Sequence, residues 1–299
     1  MFWFRWFTVC KAPLLTLPFA LSCPLLHLIF LGSTADSTRI VGGNDVPPGE
    51  YVPYQVSLQY FTKKNKYQHF CGGSIIAPSR ILTAAHCCNG FDVKRMTVLA
   101  GVRDLNDSEG VRVQVASYDI HENYEELVTS DTAILTLVEP LNLDGVRMAA
   151  IDVRGSEQVG GGVPVTLTGW GLRLPMPLPF LPPELDNVNY PTTLQTMNYH
   201  TITNQECKNS GMEDLTDTEI CARGRLLKGA CSGDSGGPLV MKTEEGLHQV
   251  GIVSYGLFIC GVFSVIPDVY TRVSVFDDWI QARLQLKFAH TCPLSSTHS

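Results

Sequence analysis

The chain has 299 residues, 44% of them hydrophobic and 17% charged, with a formal net charge of −7. Those values exclude global disorder and leave room for one large domain or two modest ones with a sizeable core. An isoelectric point near 5.6 argues against a nucleic-acid partner held by bulk positive charge, and ten cysteines point to an oxidising compartment.

Residues 1–35 read as a secretory signal peptide. Arg5 and Lys11 lead into a twenty-residue apolar stretch from Ala12 to Leu31, and Ser33-Thr34-Ala35 offers small residues to a signal peptidase. A membrane anchor is the competing reading, since twenty apolar residues can span a bilayer. Pro13, Pro18, Pro24 and His27 count against it, so no stable membrane association is expected. Cys10 and Cys23 leave with this segment. Cleavage after Ala35 exposes residues 36–39, a basic-ended propeptide before Ile40-Val41-Gly42-Gly43. A basic residue followed by an apolar stretch in an exported chain marks Arg39–Ile40 as a processing site. Residues 1–39 carry three Lys/Arg and one Asp/Glu, so removing them takes the net charge from −7 to −9.

From there the chain reads as short β-rich runs between turns: 54–60, 112–115, 133–137, 163–167, 238–241 and 250–254. Alternation and regular turn signals predict an all-β sandwich or barrel. Val275 to Leu286 differs, because Phe276, Trp279, Ile280 and Leu284 recur at helical spacing and predict a terminal amphipathic helix. No repeat of twenty to fifty residues is evident. Residues 172–191 contain six prolines and read as a stiff surface loop.

Three separated motifs carry chemistry. Thr83-Ala84-Ala85-His86-Cys87 sets a histidine beside a cysteine. Ser130-Asp131-Thr132-Ala133-Ile134 puts an acid before an apolar strand, where a buried carboxylate needs partners. Gly233-Asp234-Ser235-Gly236-Gly237-Pro238 places a serine in a glycine-rich turn where backbone N–H groups can converge. With Ile40-Val41-Gly42-Gly43 ahead of them, in this order, these motifs resemble the trypsin/chymotrypsin family of serine proteases over Ile40 to about Leu286.

The resemblance implies an all-β fold of two packed antiparallel six-stranded β-barrels with a C-terminal α-helix. Barrel one would span about 40–150, barrel two about 151–275 and the helix about 275–286, with a mobile tail to 299. It implies Ser235 as nucleophile, His86 as general base and Asp131 as the group that fixes the imidazole. The N–H groups of Gly233 and Ser235 would form the oxyanion hole. Cutting Arg39–Ile40 would free an Ile40 ammonium to pair with Asp234 and order the pocket. The implied partners are protein or peptide substrates, an activating protease that cuts after Arg, and protein protease inhibitors. No cofactor is implied. The competing reading from another class is a non-catalytic homologue that uses the cleft to hold a partner.

Family disulfides match Cys71–Cys87, Cys207–Cys221 and Cys231–Cys260, while Val165 and Met241 occupy both ends of another common bridge. Cys88 and Cys292 remain open: they pair together, pair with another chain, or stay free.

The specificity pocket departs from the family pattern. Trypsins carry Asp six residues before the nucleophile, and here that position is Gly229, followed by Ala230. One wall reads Ser254-Tyr255-Gly256, with Tyr255 in place of the usual Trp, and the other carries Asp268 where Gly is usual. The acid is thus moved from base to wall. One reading is that Asp268 binds Lys or Arg, alone or within a broad specificity similar to that of crustacean and insect collagenolytic proteases. The other is that Asp268 is shielded and the pocket is chymotrypsin- or elastase-like.

Asn106-Asp107-Ser108 is a glycosylation sequon on an expected surface loop. Val102 stands where trypsins place a calcium ligand, so calcium is not implied despite Asp104, Asp107 and Glu109. His69, His121, His200 and His248 lack metal spacing and read as surface or structural histidines.

Overall fold

The computed structural model describes residues 43–126, 129–154, 159–172, 190–224, 229–256 and 266–285. The expected signal segment, the Arg39–Ile40 bond, most of the proline-rich stretch, Cys260, Cys292 and residues 286–299 lie outside the described residues.

Thirteen strands carry the described fold. β2 (Gln55–Phe61), β3 (Tyr67–Ala77), β4 (Arg80–Thr83), β5 (Met96–Ala100), β6 (Val111–Ile120) and β7 (Ala133–Leu137) close into one barrel in the order β2-β3-β4-β7-β6-β5. β8 (Pro164–Gly169), β9 (Gln195–Ile202), β10 (Glu219–Arg223), β11 (Pro238–Lys242), β12 (Leu247–Tyr255) and β13 (Asp268–Arg272) form the second. Its order is β9-β10-β13-β12-β11-β8, and a β8–β9 pairing closes the ring. All named pairings are antiparallel, and the two six-stranded barrels agree with the expected fold class.

β1 (Asn44–Asp45) pairs with β9, so this early segment joins the sheet of barrel two rather than barrel one. Besides the expected C-terminal helix there is a short one, α1 (Asn204–Asn209). Thr203 caps it, its hydroxyl accepting from Glu206 N while Glu206 returns a bond to Thr203 N.

Burial follows the two-residue period of strands. In β9 the residues Met197 and Tyr199 point inward while Asn198 and His200 are exposed. The inward set of barrel two includes Leu167, Tyr199, Ala222, Leu239, Val253 and Tyr270. The helix α2 (Asp277–Gln285) follows a 3-10 turn, Val273–Phe276, and lays Phe276, Trp279 and Ile280 into the core of barrel one. Chain from the end of barrel two thus seals the other barrel. Burying side chains of this size contributes about 1.5–3 kcal/mol each.

The loop from Gly101 to Gly110 is organised by an arginine. The Arg147 guanidinium donates to Gly101 O at 2.8 and 3.0 Å, to Asp107 Oδ2 at 3.2 Å and to Glu109 Oε2 at 2.8 Å. Val102 is buried with Leu99 and Trp170. Two carboxylates held by a guanidinium and an apolar side chain make a donor set that does not fit calcium.

Candidate active site

His86 sits in a 3-10 turn, Ala85–Cys87, immediately after β4, and the disulfide Cys71–Cys87 ties that turn back to β3 with Cα atoms 6.3 Å apart. Asp131 precedes β7. Ser130 before it has φ +55°, a left-handed conformation that a non-glycine residue adopts at a cost, and it swings the chain into the strand. Because β4 and β7 are paired, Thr83 opposite Ala133, the two loops emerge side by side.

Asp131 Oδ1 accepts from His86 N at 2.9 Å. Oδ2 accepts from His86 Nδ1 at 2.7 Å and from Ser254 Oγ at 2.6 Å. A carboxylate only accepts, so Nδ1 carries a proton, which leaves Nε2 as the ring nitrogen free to exchange one. Burial pushes the Asp131 carboxyl up, but the hydrogen bond and charge of His86, with the Ser254 hydroxyl, hold it below the usual range. Ser254 reaches this position because it sits at a register shift in the β12–β13 ladder, between Val253 opposite Tyr270 and Tyr255 opposite Val269. The Thr271 hydroxyl fixes the same loop, donating to Asp131 O at 2.7 Å.

Ser235 is half-buried, on a turn pressed against barrel one. Its carbonyl accepts from Gly72 N at 2.7 Å, and Gly236 N donates to Val253 O at 2.8 Å. Gly236 has φ +77°, and a Cβ there would overlap the Thr83 hydroxyl, so only glycine fits. No hydrogen bond joins Ser235 Oγ to His86 among the described residues, and His86 Nε2 lies 3.7 Å from Cys87 Sγ. Such contacts are commonly long before substrate binds. Beside this turn, the Gly233 carbonyl accepts from His69 Nε2 at 2.9 Å, and His69 Nδ1 accepts from Ser57 Oγ at 2.8 Å. Burial holds His69 down to about 4, so the ring is neutral.

Asp234 is fully buried. Oδ1 accepts from Gly171 N at 2.8 Å and Oδ2 from Cys231 N at 2.9 Å. A Cβ at Gly171 would overlap the carboxylate, so the backbone must approach bare. Burial pushes Asp234 up to about 7 against those two donors, and the Asp268 charge adds to the rise.

Of the residues expected to form the pocket, Gly229 is buried and Ala230 half-buried. Ala230 N donates to Asp268 Oδ2 at 2.9 Å, and Tyr199 OH to the same oxygen at 3.1 Å. Tyr255 is tethered through its hydroxyl to Glu219 Oε1 at 2.8 Å. With Ser254, Tyr255 and Glu219 line a small cleft against Asp131.

Set against known proteins, residues 40–280 match the family model described as Trypsin. The chain is 38% identical over 262 residues to chymotrypsin-C of Mus musculus, covering 84% of this chain and 90% of that protein. It is 39% identical over 252 residues to chymotrypsin-2 of Vespa crabro, covering 81% and 98%. With brachyurin of Leptuca pugilator it shares 36% over 249 residues, covering 82% and 98%. The chain belongs to the trypsin family of serine proteases. It is a serine-type endopeptidase, a hydrolase.

In this trypsin-family chain, the disulfides Cys71–Cys87 and Cys207–Cys221 are formed as expected. Cys231 is also disulfide-bonded, while Cys260 lies outside the described residues. Cys88 is a free, buried thiol. Asn106 is exposed on its turn. His69 is buried against the Ser235 turn rather than at the surface, because the Ser57 hydroxyl and the Gly233 carbonyl give its two ring nitrogens partners there. Four contributors escaped sequence reasoning: the role of Ser254 toward Asp131, then Thr271, Tyr199 and Glu219. Pattern reading puts Ser254 at the end of the run 250–254 and gives no strand to the other three, and it names for none of them the residue across the barrel that it meets.

Proposed function

We propose that this protease is exported, held as an inactive precursor, and activated by cleavage at Arg39–Ile40. The mature enzyme then cleaves peptide bonds after Lys and Arg within a broader specificity. In this reading Ser235 attacks the scissile carbonyl, and His86 Nε2 takes its proton and returns it to the leaving amine. Asp131 holds the tautomer, and the Gly233 and Ser235 N–H groups stabilise the oxyanion. The acyl-enzyme is then hydrolysed by water through the same base. The Ile40 ammonium is the partner for Asp234, whose buried carboxylate accepts two backbone N–H groups and has no cation among the described residues. Residues 1–35 act as the export signal and 36–39 as the propeptide, which makes the product extracellular. No described helix is long and apolar enough to cross a membrane. Asn106 is the glycosylation site, and a protease that cuts after Arg is the activator. Protein inhibitors are expected to bind the same cleft.

The observation that carries the specificity is the division of labour within the Asp268 carboxylate. Oδ2 takes both protein donors, and Oδ1 lies 3.1 Å from where a Cβ on Gly256 would stand, across the pocket. Among the described residues no donor reaches Oδ1, and such an oxygen can accept a substrate ammonium or guanidinium. The second reading, an apolar pocket, draws on burial, which pushes Asp268 up to about 6, and on relatives named chymotrypsin.

The test is to cut the purified chain after Arg39, confirm Ile40 as the new N-terminus, and profile it on peptides varied before the scissile bond. Ser235→Ala is the control. Cleavage that includes Lys or Arg supports the proposal, and cleavage after aromatic or aliphatic residues alone supports the second reading. No turnover and no labelling by an organophosphate would favour the non-catalytic homologue.

A further inference from the structure

β9, β10 and β13 lie side by side, and the register puts Ala222 opposite both Thr201 and Asp268. Tyr199 stands two residues before Thr201 on β9, so its side chain shares the inward face with Ala222 and Asp268. Ala222 is the small residue between them. Over its methyl group the Tyr199 hydroxyl spans β10 and donates to Asp268 Oδ2 at 3.1 Å. The ring is 1% exposed, so it has no freedom to swing away. The second donor to Oδ2, Ala230 N, belongs to the pocket base. Two donors on one oxygen, from two directions, fix the plane of the carboxylate. The other oxygen is then turned toward Gly256.

We infer that Tyr199 is a positioning residue for specificity: its hydroxyl anchors Asp268 so that the pocket presents one carboxylate oxygen, Oδ1, to a basic side chain of the substrate. This rests on the proposal that Asp268 receives Lys or Arg. It assigns part of that selectivity to a tyrosine on the far side of β10, remote in sequence from the pocket segments. The titratable groups facing Asp268 are Tyr199 on β9, Tyr270 on its own strand, and Asp234 beside the nucleophile. Both donors favour the ionised carboxylate against burial. Losing the hydroxyl therefore leaves Asp268 protonated to higher pH and frees it to rotate.

The experiment compares activated wild type with Tyr199→Phe, which keeps the ring and removes one donor. kcat/KM is measured from about pH 5 to about pH 9 on paired substrates, Lys or Arg against Leu or Phe, normalised by covalent titration of Ser235. The ratio within each pair cancels titrations common to both substrates. Expected for Tyr199→Phe is a fall of about tenfold in the basic-to-apolar ratio at neutral pH, with its acidic limb moved up by roughly one unit. A ratio and limb that match wild type would overturn the inference, as would an equal fall on every substrate. Gly256→Ala approaches Oδ1 from the opposite side without touching Tyr199, and a selective fall in the same ratio is expected. No fall there would mean that Oδ1 does not face Gly256, which also overturns the inference. Asp268→Asn separates the two levels. If it leaves Lys and Arg cleavage intact, the pocket proposal fails and Tyr199 with it. If it abolishes that cleavage while Tyr199→Phe changes nothing, the pocket proposal stands and only the role of Tyr199 fails.

Discussion

Asp131 and Asp268 are both carboxylates at the start of a strand, one ahead of β7 and one opening β13, and their surroundings drive them in opposite directions. Asp131 has donors on both oxygens, and one of them, His86, can carry a positive charge. Its carboxyl is held below the usual range despite burial. Asp268 has two neutral donors on a single oxygen, and burial wins, pushing it up to about 6. The lesson is that burial alone does not set the charge of an acid in this protein. The count, the charge and the distribution of donors do. An acid with a donor that can carry charge suits a fixed electrostatic role, and one held only by neutral donors is ready to receive a cation.

That contrast sets how each substitution should behave. The largest effect is expected at Asp131. Asp131→Asn removes the acceptor that dictates the His86 tautomer, and kcat should fall by about 10⁴-fold, the magnitude measured for the same change in a related enzyme. The fall should be equal on basic and apolar substrates. A substrate-dependent fall would place Asp131 in recognition rather than chemistry.

Asp234 follows. It has one backbone donor on each oxygen, but both donors are neutral, as at Asp268, and burial pushes it up to about 7. In the uncut chain the folded state therefore holds this proton more tightly than the unfolded state. Stability should decline as pH rises from about 4 through about 7. Asp234→Asn should flatten that decline in thermal melts of the precursor. After cleavage the same variant should lose about a hundredfold or more in kcat/KM, because the Ile40 ammonium is left buried without a counter-charge. An Asn variant that activates normally would break the proposed switch.

Asp268→Asn should be selective, with a loss of about tenfold to a hundredfold on Lys and Arg substrates and little change on Leu or Phe substrates. Comparing its pH profile with that of Tyr199→Phe sharpens the contrast between an absent charge and a displaced one.

Much of this was legible in the sequence, and the reasons are local. The apolar run Ala133–Leu137 emerged as a strand with its limits intact, and the other predicted runs fell within or beside observed strands, because period and turn residues act over a few positions. His86, Asp131 and Ser235 were visible because each lies in a short motif of fixed chemistry. Asp268 was visible as a departure from a pattern, but its state was not, since the second donor comes from Tyr199, 69 residues away. The partnership of His69 with Gly233 likewise depends on how the two barrels meet. The pairing of β1 with β9 is a contact of that kind as well, joining an early segment to a sheet assembled from the second half of the chain.

The smallest effect tests the part of the contrast that comes from a single neutral donor. Ser254 Oγ sits on the crowded oxygen of Asp131, placed there by the shift in the β12–β13 ladder. A hydrogen bond to a charged group contributes about 1.5–3 kcal/mol, so Ser254→Ala should lower kcat by roughly tenfold or somewhat more. His86 still donates to both oxygens in that variant, so Asp131 should stay charged and the basic-to-apolar ratio should not move. Ser254 is also one of the residues proposed to wall the pocket, which makes the split between kcat and KM decisive. A fall in kcat with KM held would tie this residue to Asp131. A rise in KM confined to basic substrates would instead tie it to Asp268, and the two carboxylates would then share a wall residue that the structure assigns to only one of them.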